Sequence, residues 1–268
     1  MNRQPSPSIS GDIHSSVTTL RYTFAGQTGY LITPQNAGHA LLALRHSAGV
    51  DPWQDTGLHF HSVAEEYYLL LQGELDFIIS NHLLKLRPRQ VLLIWPGIPH
   101  AVAGGQGPIE HFVLRAPAPE DRQSTGGLPS LLAPLPDWEP GFLQEKWGTR
   151  IPLEEPHHQN CWLFGSGSAR ITTRHLALAY LDFATHEAAN AGIGTRHRLH
   201  WHRKAWEYYA VFAGSKTLQI EDEMVTIRPG EILAVPPGTR HTLASRQAPY
   251  RGMTFRVPLP ESDDKVED

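Results

Sequence analysis

LHWHRKAWEYYAVFAG, the stretch Leu199–Gly214, decides the fold of this chain. It places two histidines one residue apart, at His200 and His202, and a glutamate five residues later, at Glu207. Alternate side chains of a β-strand point to the same face, so both imidazoles should point in one direction, about 6–7 Å apart along the strand. The stretch therefore predicts a strand that offers two nitrogen ligands, with a carboxylate nearby, to one metal ion.

The pattern occurs twice in the chain. Shifted by 141 residues, the sequence overlays itself without a gap, and 20 of the 60 positions in 58–117 are identical to their partners in 199–258. The identical pairs with reactive side chains include His59 with His200, His61 with His202, Glu66 with Glu207, Tyr68 with Tyr209, His100 with His241 and Arg115 with Arg256. A unit of this size is a small domain and not a solenoid repeat, so the sequence predicts two similar domains.

Strand signals dominate both copies. Alternating, β-enriched segments such as EYYLLLQGELDFII and KTLQIEDEMVTI are separated by turn signals, and no long stretch has a helical period. Many short strands with regular turns indicate an all-β sandwich or closed barrel. We predict an N-terminal tail over 1–20, a barrel over 21–117, a proline-rich linker over 118–160, a second barrel over 161–260 and a C-terminal tail over 261–268.

The third histidine of each copy, His100 or His241, comes from a later strand than the first pair. Only a rolled sheet would bring it onto the same interior point, giving three imidazoles and one carboxylate. Such a set suits Fe(II), Mn(II), Ni(II), Co(II) or Zn(II), and the absence of thiolate ligands argues against a structural zinc site. Glu65 is a second candidate in the first copy, but the 141-residue shift favours Glu66. The alternative is that these histidines only pack in the core. That role is common for a single histidine, but it does not account for three histidines and a glutamate that recur at the same spacing in both copies.

These residues resemble the cupin family. Its first motif, G(x)5HxH(x)3–4E(x)6G, matches Gly194, His200, His202, Glu207 and Gly214, and its second, G(x)5PxG(x)2H(x)3N, matches Gly230, Pro236, Gly238 and His241, with Ser245 in place of the final asparagine. The first copy keeps every ligand, but Trp53 and Arg89 replace the motif-opening glycines, Trp95 the proline and Gly104 the asparagine. These departures fall at turns, so we expect them to change the turn geometry at the rim of the first barrel and to leave its metal ligands in place.

The resemblance implies a bicupin, with two tandem antiparallel jelly-roll barrels (the double-stranded β-helix) and a divalent transition metal inside each. It does not name the reaction, because one fold serves many functions. We expect an enzyme that acts on a small enolic, catecholic or carboxylate metabolite, with a non-heme Fe(II) dioxygenase as the leading expectation. An O2-independent isomerase, decarboxylase or hydrolase and a non-catalytic binding protein are the alternatives. An oxalate-decarboxylase-like role is less favoured, because the acidic lid-loop motif of those enzymes is not found.

Four further residues are candidate substrate contacts. Strand parity predicts that Tyr68 and Tyr209 face the barrel interior, where each could orient substrate or be a core aromatic with a satisfied hydroxyl. Arg115 and Arg256 recur in matched strands and could clamp a substrate carboxylate or form a salt bridge at the strand end. The catalytic residues are unknown from sequence, and the second domain, which matches the family motifs more closely, is favoured for catalysis.

Bulk composition excludes some classes of partner. The net charge of −4 suggests no nucleic-acid partner, and no apolar run reaches the roughly 20 residues of a membrane span. The first ten residues lack the apolar core of a secretory signal, and the single cysteine, Cys161, fits a reducing compartment. We therefore expect a cytoplasmic protein with a small-molecule substrate, and a homodimer is possible.

Overall fold

The computed structural model describes residues 19–49, 57–126, 133–134, 143–144, 147–153, 162–195, 197–261 and 264–267, so Trp53 and Cys161 lie outside the described residues. The chain divides into two units. One comprises residues 26–154, called the first barrel below. The other combines residues 1–25 with 155–268 and is called the second barrel.

Regular structure in the described residues is almost entirely strand. Up to residue 126 the strands are β1 (Leu20–Thr23), β2 (Gly29–Ile32), β3 (Ala43–Gly49), β4 (Leu58–Phe60), β5 (Glu65–Ile79), β6 (His82–Leu86), β7 (Gln90–Ile94), β8 (His100–Ala116) and β9 (Gln123–Gly126). They continue with β10 (Ala133–Pro134), β11 (Leu143–Gln144), β12 (Gly148–Pro152), β13 (Trp162–Gly165), β14 (Ile171–Thr172) and β15 (Ala177–Phe183). After the short helix α1 (His186–Asn190) come β16 (His200–His202), β17 (Trp206–Ile220), β18 (Glu223–Ile227), β19 (Glu231–Val235), β20 (His241–Val257) and β21 (Lys265–Glu267).

Each unit is built on one sheet in which antiparallel pairing predominates. In the first barrel the order is β11-β12-β7-β5-β8-β3-β2, with β6 on β5, β10 parallel to β6, and β4 between β8 and β9. In the second barrel the order is β1-β19-β17-β20-β15-β13-β14, with β18 on β17 and β16 between β20 and β21. The prediction of an all-β fold with two similar domains is therefore confirmed.

Long bent strands allow each sheet to roll up. β5 and β17 have 15 residues each, and their pairing with β8 and β20 shifts register beside Gly73 and Gly214. Gly214 has φ +70, and a Cβ there would lie 2.6 Å from the Pro249 carbonyl oxygen and closer still to that of Gln247. A side chain therefore does not fit at the point where the strand bends and the neighbouring backbone comes closest.

The barrel interiors are apolar cores. Among the described residues, a cluster of twelve buried residues fills the first barrel, Tyr68 and Phe77 among them, and a cluster of eleven fills the second, Tyr209 and Tyr250 among them. Because these residues sit on the inner face of each rolled sheet, side chains on the same face of the same strands also point inward. None of the helical segments in the described residues has the length and apolarity that a bilayer crossing requires.

The structure differs from the predicted domain limits at three places. β1, expected at the start of the first barrel, pairs with β19 of the second. β9 and β12 lie within the predicted linker, but they pair with β4 and β7 of the first barrel. β21 lies within the predicted C-terminal tail, but it pairs with β16. In each case a short segment supplies the backbone hydrogen bonds of a sheet edge that would otherwise be open.

One departure from the cupin motif leaves the turn unchanged. Arg89, at the position of a motif glycine, has φ +61, and the matching Gly230 has φ +86. The first barrel therefore keeps the left-handed turn with an arginine, at the steric cost that glycine avoids. At Gly230 an added Cβ would lie 2.6 Å from the Cβ of Ala25, the residue two positions after β1, so here the glycine also makes room for the N-terminal segment.

Candidate metal centres

In the first barrel, four predicted ligands converge on one interior point. The donor atoms of His59, His61, Glu66 and His100 all lie within 4.8 Å of one another, and the four residues are buried. Glu66 Oε2 is 2.6 Å from His100 Nε2 and 3.4 Å from His61 Nε2. The convergence follows from the sheet: His59 on β4 pairs directly with His100 on β8, and β8 also pairs with β5, which carries Glu66.

The second barrel repeats this arrangement. His200, His202, Glu207 and His241 are buried, and their donor atoms also lie within 4.8 Å of one another. Glu207 Oε2 is 3.0 Å from His241 Nε2, 3.2 Å from His202 Nε2 and 3.9 Å from His200 Nε2. His200 pairs directly with His241 across β16 and β20, as His59 pairs with His100. All eight residues predicted as metal ligands are thus gathered into two quartets.

Glu65, the other candidate in the first copy, points away from the quartet. It is fully buried, and its Oε2 accepts a hydrogen bond of 2.8 Å from the Tyr67 hydroxyl. Successive residues of a strand face opposite sides of the sheet, so Glu65 and Glu66 cannot both face the interior. The structure therefore places Glu66 with the histidines, as the 141-residue shift predicts.

Every histidine of the quartets directs its Nδ1 outward to an oxygen. The backbone carbonyls of Gly57, Ile98, Arg198 and Thr239 lie 2.8–2.9 Å from the Nδ1 atoms of His59, His100, His200 and His241, in that order. His61 Nδ1 contacts the carbonyl oxygen of Asp121, whereas His202 Nδ1 is 2.8 Å from Oδ2 of Asp264. With Nδ1–H donating outward, each Nε2 lone pair points into the quartet, which is the arrangement that metal-binding histidines adopt.

The inward nitrogen atoms fit a cation. Among the described residues, the buried Nε2 atoms of His61, His200 and His202 have no hydrogen-bond partner. A buried polar atom without a partner is costly, and several nitrogen lone pairs that face one another are more costly still. A divalent ion inside each quartet would satisfy them together, so the donor set fits a transition metal with imidazole and carboxylate ligands.

The charge states also suit metal ligands. Burial acts to raise the pKa of Glu207, but the Arg256 guanidinium and the three histidines outweigh it and hold that pKa well below its usual range. For Glu66, burial again acts upward, and the neighbouring imidazoles of His100 and His61 bring the pKa well below the usual range. Burial, with a smaller effect of His100, lowers the pKa of His59 to about 4. At neutral pH the glutamates are therefore ionised and His59 is neutral.

The two predicted substrate arginines contact the ligand glutamates. Arg256 Nη2 donates to Glu207 Oε1 at 2.9 Å, and Arg115 Nε is 3.4 Å from Glu66 Oε1. Arg115 also donates to the Tyr30 hydroxyl, and Arg256 lies over the Trp162 ring, 4.5 Å from its centroid. The geometry thus favours the salt-bridge alternative: each arginine fixes the outer oxygen of a glutamate, so that the other oxygen faces the histidines.

Tyr68 and Tyr209 lie in the barrel interiors, as strand parity predicts. Burial, and after it the charge of the neighbouring glutamate, raises the pKa of each phenol well above its usual range. Both hydroxyls therefore stay protonated and can donate a hydrogen bond near the quartet. That either tyrosine binds substrate remains a prediction.

Asp121 and Asp264 were not predicted from sequence. Asp121 holds the loop after His61, accepting from the Ser62 hydroxyl at 2.7 Å and the Val63 amide at 2.6 Å. Asp264 accepts from the Lys204 amide at 2.8 Å as well as contacting His202. The weak signal that sequence offers is an aspartate after the closing Arg-x-Pro of each copy, at unequal spacing. In the second quartet, a carboxylate from outside the ligand set thus contacts a ligand histidine.

Replacing Asp264 by alanine is expected to weaken metal binding at the second quartet about 10- to 100-fold, because the carboxylate fixes the orientation of His202 and raises its basicity. Chelator competition measured site by site, in variants that retain only one quartet, tests this. Glu261→Ala is the matched control, since Glu261 is in the same segment and its exposed side chain pairs with the equally exposed Lys204. Equal affinities for Asp264→Ala and Glu261→Ala would contradict the role of Asp264.

Comparisons with known proteins agree on the architecture. A family model described as Cupin domain matches residues 190–249. Among solved structures, a mutant of Bacillus subtilis oxalate decarboxylase is similar at a TM-score of 0.59 and 12% identity, covering 95% of this chain and 80% of that one. The Lactobacillus farciminis oxalate decarboxylase formate complex is similar at a TM-score of 0.58 and 11% identity, covering 95% of this chain and 90% of that one.

Comparison with curated protein sequences finds no match. At such low identity the structural likeness shows the fold alone, which is two tandem jelly-roll barrels, as the sequence motifs imply. It does not show which reaction is catalysed or which metal is bound. Neither the dioxygenase nor the Fe(II) expectation is confirmed by these comparisons, since the two structures named are oxalate decarboxylases, and a third similar structure, also of Bacillus subtilis oxalate decarboxylase, is described by its Mn(II) centres.

Proposed function

We propose that this chain, a two-domain cupin, is a metal-dependent enzyme that releases CO2 from a small carboxylate metabolite at the quartet of the second barrel. The observation that carries the proposal is that quartet: three inward imidazoles and one ionised carboxylate, buried in a barrel whose interior also contains the buried cations Lys216 and Arg246. The cations favour an anionic substrate beside the metal site.

When CO2 leaves, the electron pair of the broken C–C bond stays on the remaining fragment, and a divalent ion in the quartet would stabilise that negative charge until a proton is added. The same ligand set accepts several first-row metals. We propose Mn(II) as the first to test, because a structure with the same fold is described by its Mn(II) centres. Fe(II), Co(II), Ni(II) and Zn(II) remain the other predicted occupants.

The protein residues have distinct parts in this proposal. The three histidines and Glu207 hold the ion, and Arg256 keeps the outer oxygen of Glu207 in place. Tyr209 presents a protonated hydroxyl close to Glu207 and could hydrogen-bond to the substrate or supply a proton at its Oη. The apolar residues around Tyr209 exclude water, which strengthens the interaction of the substrate with each charged group.

We put decarboxylation ahead of the dioxygenase that the sequence alone favours because the similar structures named above are decarboxylases, and we propose no particular substrate. That the partner is a small molecule, that no nucleic acid or membrane is involved, and that the protein is cytoplasmic are predictions from sequence. A homodimer is likewise a prediction.

The proposal is tested by incubating the Mn(II)-loaded protein with a panel of small mono- and dicarboxylates while CO2 release and O2 uptake are followed together. We expect CO2 release from at least one acid without stoichiometric uptake of O2. The His241→Ala variant, which lacks a ligand of the second quartet, should release none. One O2 consumed per substrate turned over, with both atoms of isotopically labelled O2 recovered in the organic product, would instead establish the dioxygenase, and no turnover with any acid or metal would favour a binding protein.

A further inference from the structure

We propose that the strands β9 and β21 are straps whose docking is coupled to the metal ion, so that an ion in a quartet holds its strap closed and loss of the ion releases it. β9 and β21 pair with β4 and β16, the two strands that carry the HxH pairs of the quartets. The inference concerns how the ligands are held, and it rests on metal binding at the quartets and not on the reaction proposed above.

In the second barrel, most of the pairing of β16 comes from the strap. On the barrel side, β16 has one residue pair with β20, between His200 and His241, and the Gly238 amide donates to the His202 carbonyl oxygen at 2.8 Å. On the other side it has three residue pairs with β21. The strand that carries two of the three ligand histidines is therefore held in place largely by β21.

This strap also contacts a ligand through a side chain. The buried carboxylate of Asp264, directly before β21, is 2.8 Å from His202 Nδ1 and accepts from the Lys204 amide at 2.8 Å. The Arg203 amide donates to the Asp264 carbonyl oxygen at 2.9 Å. A single residue of the strap thus fixes the ligand histidine and the two residues that follow it.

The first barrel has the same arrangement, made by different atoms. β4 has one residue pair with β8 and three with β9. The backbone carbonyl of Asp121, two residues before β9, contacts His61 Nδ1, and the Asp121 carboxylate accepts from the Val63 amide at 2.6 Å. In both barrels the strap therefore contacts the second histidine of the HxH pair, through a carbonyl in one and a carboxylate in the other.

The straps have little else to hold them. β9 has four residues and β21 has three, and in β21 Lys265 and Glu267 are exposed and Val266 is half-buried. Short edge segments with few buried contacts open at a low cost in free energy, far below that of global unfolding. A single additional hydrogen bond to a strap therefore changes the fraction of open molecules measurably.

The ion and the strap act on the same imidazole. An ion bound at Nε2 requires the ring to have its proton on Nδ1, and Nδ1–H is the group that donates to the strap oxygen. Without the ion, nothing fixes the tautomer or the orientation of the ring, and part of the population loses that hydrogen bond. Because linked equilibria are reciprocal, the ion stabilises the docked strap by the same factor by which the docked strap raises metal affinity.

Amide hydrogen exchange of the full chain, followed by mass spectrometry with Mn(II) and after chelation, tests the coupling. We expect β21 amides to exchange about 10- to 100-fold more slowly with Mn(II), the factor that an outer partner of a ligand histidine contributes to metal affinity. β9 should slow by a smaller factor, because an uncharged carbonyl makes its contact to His61. β1, a four-residue strand that pairs with β19, is the internal control and should slow far less.

Variants that remove one ion at a time separate local coupling from general stabilisation. In Glu207→Gln with Mn(II), β21 should exchange as fast as in the chelated protein, and β9 should stay protected. In Glu66→Gln the result should be reversed. Asp264→Ala, measured with enough Mn(II) to fill both quartets, should lose the metal-dependent slowing of β21 and keep that of β9. Elemental analysis of the same samples gives the metal content.

Equal slowing of β1 and β21 in the wild-type protein, or slowing of both straps in Glu207→Gln, would show that the ion stabilises the protein as a whole and would overturn the inference. The wild-type comparison decides alone if a variant does not fold. Quartets that stay empty in excess Mn(II) would refute both the metal centres and the straps. Absence of turnover with every acid, together with metal-dependent protection of β21, would refute only the proposed function.

Discussion

Replacing Glu207 by glutamine is expected to empty the second quartet of metal and to reduce turnover by about 1000-fold or more. Glutamine has nearly the same shape, but it removes the anionic ligand from a set that is otherwise three neutral imidazoles. It also leaves Arg256, which is 2.9 Å from the Glu207 carboxylate, facing a neutral amide. Elemental analysis of the purified variant, together with CO2 release, measures both effects.

The matched variant is Glu66→Gln, which makes the same change in the first quartet, where Arg115 takes the place of Arg256. We expect it to remove one metal ion per chain and to leave the turnover within a few-fold of wild type, because catalysis is assigned to the second barrel. Loss of turnover in Glu66→Gln but not in Glu207→Gln would move the active site to the first barrel.

Replacing Gly214 by alanine is expected to lower the free energy of unfolding by about 3–5 kcal/mol. The residue has φ +70, which alanine adopts poorly, and the new Cβ would lie 2.6 Å from the Pro249 carbonyl oxygen and nearer to that of Gln247. The crowding atoms are backbone, so they cannot rotate away. Urea unfolding followed by tryptophan fluorescence gives the free energy.

Gly238→Ala is the control that separates the clash of an added Cβ with neighbouring backbone atoms from the cost of a positive φ alone. Gly238 has φ +81, but no atom lies within 4 Å of where its Cβ would be. Its replacement should cost only about 1 kcal/mol, the cost of the left-handed conformation itself. Equal losses in the two variants would show that the close approach of β20 to Gly214 does not matter.

The quartets are the part of the structure that sequence predicts best. Three facts suffice: an HxH pair on a strand points one way, a glutamate follows at fixed spacing, and the set recurs 141 residues later with a third histidine. Each is a local or periodic property of the chain. Parity likewise places Tyr68 and Tyr209 in the interior correctly.

The edges of the two sheets could not be predicted. β1, β12 and β21 have three to five residues each, too few for a periodic signal, and their partners are distant in sequence. Which open edge such a segment pairs with depends on the folded sheet and not on its own residues. For the same reason the contact between Asp264 and His202 could not be predicted, because it depends on the pairing of β21, the strand that follows Asp264, with β16.

The sequence also could not predict which group each of the two arginines contacts. Arg256 was correctly placed in a strand matched to that of Arg115, but whether its guanidinium would face substrate or a ligand glutamate depended on register. In the structure Glu207 and Arg256 are directly opposite each other on β17 and β20, as are Glu66 and Arg115 on β5 and β8. Neighbouring groups of opposite charge in a water-poor interior then pair.

The central claim, that each barrel holds one transition metal ion on its quartet, is tested most directly by crystals grown with Mn(II). Anomalous diffraction near the manganese absorption edge should show two peaks per chain, one among His59, His61, Glu66 and His100 and the other among His200, His202, Glu207 and His241. A map that lacks a peak in one or both quartets, from protein given excess Mn(II), Fe(II), Co(II), Ni(II) or Zn(II) and measured at the matching edge, would contradict it.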